Sequence, residues 1–399
     1  MAARRIGILT GGGDVPGLNS VIKSVVYNAT EIGCEVFGIR RGWEGLTHMR
    51  RGQELDSEYV RRLDRSSTRT IDRTGGTVLH TSRTNPSKMK KSRLPAHVAA
   101  DQLAGYQTLD DVYDLTPLVL DNIAHLGLDY LVTIGGDDTL SYSKVLDRHG
   151  VPLIAIPKTM DNDVQGTEYC IGFSTAVTRA KEAINRQRTT LGSHERIGVF
   201  RIFGRDAGFS ALYTAYVTSA RCVIPEAPFE LEPLVDVLCD DKRANPSRYS
   251  FVIASEGAIW RGGTLAEFGE ADAYGHRRKV DIGFALAEQI KQRTGEEAVN
   301  SELTYDLRSG EADSLDQMVA ITFANICVDL IREGGVTGRM IAIVDGKYAH
   351  VPIPEPGNPR RVDVETMYDS DRFRPQYHDR LGRPLLLGAS VGGPIAVGS

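Results

Sequence analysis

Cysteine is sparse in this chain: five in 399 residues, Cys34, Cys170, Cys222, Cys239 and Cys327. The number is odd and no two are spaced as CxxC. That argues against a disulfide framework or a zinc site and fits a reducing, cytoplasmic setting. Long apolar runs are missing too. None approaches the roughly 20 residues that cross a bilayer, and the run at 6–9 is too short for a signal peptide. No membrane role is expected. Strongly basic tracts are almost absent, and the net charge is −5. The one cluster, Lys88-Met89-Lys90-Lys91-Ser92-Arg93, is too short for a nucleic-acid protein; it reads as a loop that meets phosphates or as a solvated face. No HExxH or similar spacing recruits any of the nine histidines. Internal repeats and low-complexity segments are also absent.

What is present fits a globular protein of ordinary composition. Apolar residues make up 41% and charged residues 25%, enough for a sizeable core in one large or two to three ordinary domains. Short apolar runs at 6–9, 36–39, 130–134, 153–156, 197–202, 251–254 and 340–344 read as strands. Helical patterns lie between them. The clearest is 19–32, where Val21, Ile22, Val25, Val26, Ala29 and Ile32 share one stripe and Gly33 is a fitting stop. Such alternation predicts an α/β fold with parallel sheets covered by helices, and ligands at the carboxyl ends of the strands.

Three of those strand ends carry unusual text. The first is Gly11-Gly12-Gly13-Asp14-Val15-Pro16-Gly17. Glycines let backbone N–H groups approach an anion, and a helix start follows. It is neither GxGxxG, because Pro16 stands where glycine is needed, nor a P-loop, because Gly17-Leu18-Asn19 replaces Gly-Lys-Ser/Thr. A phosphate cradle is expected. The second end is Gly135-Gly136-Asp137-Asp138-Thr139. The third is Pro157-Lys158-Thr159-Met160-Asp161-Asn162-Asp163, in which a lysine and a hydroxyl precede two acids. That set suits phosphoryl transfer: one carboxylate takes a substrate hydroxyl's proton, the other orients it or supports Mg²⁺, and the lysine meets developing charge. A basic set lies elsewhere: Arg83 in Thr81-Ser82-Arg83 after a Gly75-Gly76 turn, Arg196 before a strand, and Arg205 in Phe203-Gly204-Arg205 after it. Their planar forks match phosphate oxygens.

On these blocks, together with Gly42-Trp43-Glu44-Gly45-Leu46 and Ile253-Ala254-Ser255-Glu256-Gly257-Ala258, the chain closely resembles the phosphofructokinase family from residue 5 to about 260, and more weakly to about 350. The resemblance implies two Rossmann-like parallel-sheet domains with the active site between them. Residues 1–172 with about 306–355 would take the phosphoryl donor and 173–305 the sugar phosphate. Residues 356–399 would form a loosely packed, partly flexible extension, or meet a neighbouring subunit. The implied reaction is Mg²⁺-dependent phosphorylation of fructose 6-phosphate at its 1-hydroxyl.

Position by position, the resemblance makes Asp161 the general base, supported by Asp163. Thr159 holds the transferred group and Asp137 serves the metal. Gly12, Gly13, Arg83, Gly136 and Lys158 meet the donor. Thr159, Asp161, Phe203, Gly204, Arg205, Glu256, Tyr305 and Arg308 meet the sugar phosphate, and Arg196 reaches that of a neighbouring subunit in a homodimer or homotetramer. Tyr305 stands where the family usually has histidine, Phe203 where it has methionine, and Val299 where a cross-subunit arginine is usual. Lys23 and Tyr27 replace two effector-site arginines, so nucleotide or phosphoenolpyruvate control is expected to be weak or absent. Asp138 and Lys158 are residues typical of the pyrophosphate-dependent branch. A carboxylate at 138 would intrude where the α-phosphate of ATP must lie, whereas pyrophosphate ends before that point. The alternative is an ATP-dependent phosphofructokinase.

Overall fold

The computed structural model describes residues 4–52, 55, 58–262, 267–268, 278–279 and 281–378. Two parallel-dominated sheets organise the chain. The larger contains β1 (Arg5–Thr10), β2 (Glu35–Ile39), β3 (Val60–Leu63), β4 (Tyr130–Gly135), β5 (Leu153–Pro157), β10 (Arg339–Val344) and β11 (Lys347–Pro352). Their spatial order is β11-β10-β5-β4-β1-β2-β3. The five inner strands run parallel; β3 and β11 close the edges antiparallel. The smaller sheet contains β6 (Ile197–Ile202), β7 (Arg221–Val223), β8 (Ser250–Ser255) and β9 (Ala298–Leu303), all parallel, in the order β7-β8-β6-β9.

All seven expected strands form. The sequence reading passed over the edge strands β3 and β11, the three-residue β7, and β9. Helix α1 spans Leu18–Glu31, one residue earlier than its stripe predicts. Val21, Ile22, Val25, Val26 and Ala29 are completely buried. Each large aliphatic among them contributes roughly 1.5–3 kcal/mol by leaving water. Gly33 adopts φ 78°, the left-handed stop expected of it.

The larger sheet has its topological switch between β1 and β4. The chain moves outward from β1 to β2, then crosses to β4 on the other side. The two glycine loops after β1 and β4 therefore open toward the same crevice. Helix α2 (Asp137–Arg148) begins in that crevice. Helix α3 (Phe173–Ser193) runs from the larger sheet to the smaller one, and α4 (Phe209–Thr218) follows β6.

Helix α5 (Ser314–Glu333) is long and apolar enough, by composition alone, to cross a membrane. In the fold it packs on α1, α3 and β10, half buried. Its Asp316 is fully buried and ties it to α3. The carboxylate accepts from Tyr169 Oη at 2.6 Å, the Gly172 N–H at 2.8 Å, and the N–H and hydroxyl of Thr175 at 2.8 and 2.5 Å. Four donors and a helix N-terminus stabilise that buried charge.

The segment after residue 355 departs from the expectation of loose packing. Val362, Met367, Tyr368 and Phe373 are buried. The Tyr368 hydroxyl donates to the Cys222 carbonyl at 2.6 Å, and the Cys222 N–H donates to the Phe373 carbonyl at 2.7 Å. The segment thus runs from the larger sheet back onto the smaller one. The end of the chain that reads as flexible, 379–399, lies outside the described residues.

Candidate active site

Between the carboxyl ends of the two sheets lies a cleft of about 1370 Å³. Every strand end singled out in the sequence contributes to it. Gly12 and Gly13 come from the loop after β1, and Gly136, Asp137 and Asp138 from that after β4. Lys158, Thr159, Asp161 and Asp163 follow β5, Phe203 and Arg205 follow β6, and Glu256 follows β8. Arg83, Tyr305 and Arg308 complete the expected lining.

The glycine cradle is stitched to its neighbours by backbone bonds. Gly11 N–H donates to the Ile134 carbonyl at 2.9 Å and Gly12 N–H to that of Ser82 at 3.1 Å, which brings the Arg83 segment alongside. Gly12 has φ 77°. A Cβ there would stand 3.2 Å from Lys158 Nζ, and one on Gly13 would stand 2.6 Å from a guanidinium nitrogen of Arg308. Glycine is therefore what lets two cations lie against the loop. Lys158 is only 4% exposed. Burial, then the nearby Arg308, lowers its pKa to about 8, while Asp138 and Asp14 pull the other way. Asp138, in the first turn of α2, thus faces the same space as the buried ammonium.

The acid loop is shaped by Asn162, whose φ of 55° is the left-handed conformation that asparagine tolerates. Its side chain accepts from Cys170 N–H at 2.8 Å and donates to the Glu168 carbonyl at 2.9 Å. With Asn162 turned inward, Asp161 and Asp163 both reach the cleft. The Asp161 N–H donates to Thr159 Oγ1 at 3.1 Å, and Ser210 at the start of α4 donates to the Met160 carbonyl at 2.6 Å. Asp161 Oδ1 is buried without a hydrogen-bond partner. Burial, then Asp163 and Glu256, pushes the Asp161 carboxyl well above the ordinary range.

Carboxylates crowd the side of the cleft where β4 and β5 end. Burial, then the fields of Asp163, Asp138 and Asp206, raises Asp137 to about 7. Burial also raises Asp163 to about 6, with Asp206 and Asp138 adding to it. Mutual repulsion of this kind is relieved by a cation. Among the described residues no three Asp, Glu, His or Cys side chains come close enough to cage an ion on their own. This donor set fits a hard divalent ion such as Mg²⁺, which takes one or two carboxylates and fills its remaining positions with water and substrate phosphates.

Across the cleft, cations and acids alternate. Arg201 on β6 pairs with Glu302, with Glu256 at 3.1 Å and with Asp281 at 3.7 Å; Arg205 lies 3.7 Å from the other oxygen of Glu256. The Arg308 guanidinium lies 5.1 Å above the Phe203 ring and 3.5 Å from the Met160 sulfur. Tyr305 is 74% exposed, so its ring and hydroxyl are open to a ligand.

Two expected residues do not line this cleft. Gly204, at φ 123°, turns inward under the Phe203–Arg205 loop, where its carbonyl accepts from Gly257 N–H at 3.0 Å and Ser255 Oγ at 2.7 Å. Arg196 precedes β6, so it stands a whole strand from the cleft, roughly 20 Å for six residues. Arg201, Asp206, Asp281, Glu302 and Arg361 line the cleft although no motif marks them, and Lys88 joins them from the basic cluster. Arg201 had a visible signal, a charge inside an apolar strand. Lys88 belongs to the basic cluster, whose phosphate-loop reading it favours. Arg361 gave no signal, since it sits in text rich in proline, glycine and charge.

Comparison with known proteins agrees with this architecture. A pyrophosphate--fructose 6-phosphate 1-phosphotransferase of Streptomyces coelicolor is 38% identical over 355 residues, spanning 88% of this chain and 94% of the relative. An ATP-dependent 6-phosphofructokinase of the same organism is 34% identical over 342 residues, spanning 85% of this chain and 90% of the relative. The crystal structure of a pyrophosphate-dependent phosphofructokinase from Nitrosospira multiformis shares the fold, with a TM-score of 0.73 over 94% of this chain and 89% of that one, at 17% identity. The family described as Phosphofructokinase matches residues 5–331. With the glycine cradle, the paired acids and the arginine-bearing strand ends meeting in one cleft, the chain belongs to the phosphofructokinase family.

Proposed function

We propose that this protein transfers a phosphoryl group from pyrophosphate to the 1-hydroxyl of fructose 6-phosphate, giving fructose 1,6-bisphosphate and phosphate. The single observation that carries the donor assignment is Asp138. Its carboxylate enters the cleft from the first turn of α2, beside the Gly12–Gly13 cradle and the buried Lys158. Relatives named for either donor match at similar identity, so overall similarity does not choose between them. A negative charge just past the second phosphate does. It repels a third phosphate and leaves pyrophosphate unopposed.

The larger sheet's loops would hold the donor and the smaller sheet's loops the sugar phosphate. Asp161 accepts the proton of the 1-hydroxyl as its oxygen bonds to the nearer phosphorus and the bridging P–O bond breaks. Asp163 orients that base. Lys158 and Arg83 stabilise charge on the transferred oxygens, and Thr159 donates to them. Arg205, with Tyr305 and Arg308, holds the sugar phosphate, and Glu256 fixes Arg205. Asp137 would hold Mg²⁺, which when bound neutralises phosphate charge. The bond broken and the bond made lie close in free energy, so the reaction runs in both directions and serves glycolysis or gluconeogenesis. All five cysteines are free, which suits a cytoplasmic enzyme. Arg196, far from its own cleft, would reach a neighbouring subunit's sugar phosphate.

The test is ³¹P NMR of purified protein with Mg²⁺, fructose 6-phosphate and either donor. Conversion of pyrophosphate to phosphate and fructose 1,6-bisphosphate is expected, as is the reverse. Turnover with ATP and none with pyrophosphate would overturn the reading.

A further inference from the structure

The C-terminal strap is built into the cleft more firmly than an appended tail requires. It leaves β11 and passes along α2, where Glu355 pairs with Arg148 at 2.7 Å. Pro356 and Gly357 then line the cleft, as do Ser141 and Val145 of that helix. Next comes Arg360, 3% exposed. Its N–H donates to the Asp163 carbonyl at 2.6 Å. Its Nη1 donates to the carbonyls of Asn162 and Glu168, at 3.3 and 3.0 Å. Its guanidinium lies 4.3 Å over the Phe209 ring. Two residues on, Val362 is also buried, and its N–H donates to Glu226 Oε1 at 2.9 Å; the same carboxylate receives the Gly208 N–H at the start of α4.

The residue between these two anchors is Arg361. With 360 and 362 buried and held inward by these bonds, Arg361 between them is left outside. It is exposed and lines the cavity. Among the described residues it forms no hydrogen bond or ion pair. Glu226 feels its charge, but that carboxylate is occupied with backbone N–H groups. Arg361 directly follows the residue whose N–H is bonded to the Asp163 carbonyl, and a fork that pairs with no carboxylate stays available for another anion.

We propose that Arg361 is a donor-binding residue, gripping the outer, departing phosphate of magnesium pyrophosphate. The proposal rests on the donor reading above. Arg361 is set between the Arg360 bond to Asp163 and the Val362 bond to Glu226; the first of these, at the acid loop, favours the donor over the sugar, whose expected ligands Arg205, Glu256 and Tyr305 lie at the ends of β6, β8 and β9. A planar fork on a terminal phosphate gives two parallel charge-assisted bonds that a lysine does not reproduce.

Calorimetric titration of magnesium pyrophosphate into the full chain, without sugar phosphate, tests this for the wild type, Arg361→Gln and Arg361→Lys. Loss of such contacts should raise Kd about 10- to 100-fold in Arg361→Gln, with Arg361→Lys between. The KM for pyrophosphate should rise in parallel, while kcat and the KM for fructose 6-phosphate stay within roughly threefold. Because the side chain is exposed, Tm should stay within about 1 °C, which separates a ligand role from a folding defect. An unchanged Kd in Arg361→Gln, or a rise confined to the KM for fructose 6-phosphate, overturns the assignment. A wild type that itself binds no pyrophosphate overturns the donor reading and this assignment with it, and so is distinguishable from a failure of Arg361 alone.

Discussion

Two buried groups carry the chemistry at the scale of single residues. Asp161 has an oxygen without a partner and a carboxyl lifted by burial and by Asp163. Asp161→Asn keeps the shape and removes the base. It is expected to lower kcat about 10²–10⁴-fold with little change in either KM, read by steady-state kinetics. Lys158 sets a pH limb. Its pKa is lowered to about 8, so the ammonium that attracts phosphate is charged below that value and lost above it. The kcat/KM for the donor should fall as pH rises through about 8. In Lys158→Arg, whose guanidinium stays charged, the fall should move to higher pH. Coincident profiles would exclude Lys158 as its source. At this scale the sequence was largely legible, because glycine, acid and lysine at a strand end announce themselves within a few residues. Arg201 and Asp281, paired at 3.7 Å across distant segments, were not, since a pair closed only by the tertiary fold leaves no local spacing to read.

Elements explain which parts of the fold could be read. The inner strands are buried on both faces, and their apolar runs show it. Edge strand β3 reads Val-Arg-Arg-Leu, with its two arginines exposed, so its composition resembles a loop. Strand β9 is only partly buried along most of its length and carries no apolar run. The strap was illegible for another reason: it is anchored by backbone bonds and by Arg360, a charged residue that composition places in solvent. Glycines at turns transmit placement between elements. Gly257 N–H bonds the Gly204 carbonyl, and a Cβ on Gly257 would run into the Arg205 carbonyl. Gly257→Ala should therefore displace Arg205 and Glu256 together. The KM for fructose 6-phosphate should rise at least about fivefold, with a stability loss of about 1–3 kcal/mol. Gly52→Ala, where a Cβ meets nothing within 4 Å among the described residues, is the control and should change neither.

For the whole molecule, the parallel sheets followed from the alternation of apolar runs with helical patterns, and the cleft between two domains from the family resemblance. The assembly did not, because subunit contacts leave no periodic mark in one chain. Arg196 is where the two scales meet, since it stands a strand away from its own cleft. If it completes a neighbour's site, two defective variants should rescue each other. In a dimer refolded from equal amounts of Asp161→Asn and Arg196→Ala, half the molecules are mixed and each has one intact site. About a quarter of wild-type activity is then expected, against far less for either variant alone. Activity no greater than the sum of the two parents would place Arg196 outside the site.

Asp138, on the proposed reading, limits the length of the phosphate donor. The most direct test of that is kcat/KM for ATP and for pyrophosphate in the wild type and in Asp138→Gly, at saturating fructose 6-phosphate. The wild type should turn over pyrophosphate and scarcely ATP, and the kcat/KM of the glycine variant for ATP should rise at least about tenfold, the change expected for relief of one repulsive contact of about 1.4 kcal/mol. No gain with ATP in the glycine variant would contradict that reading.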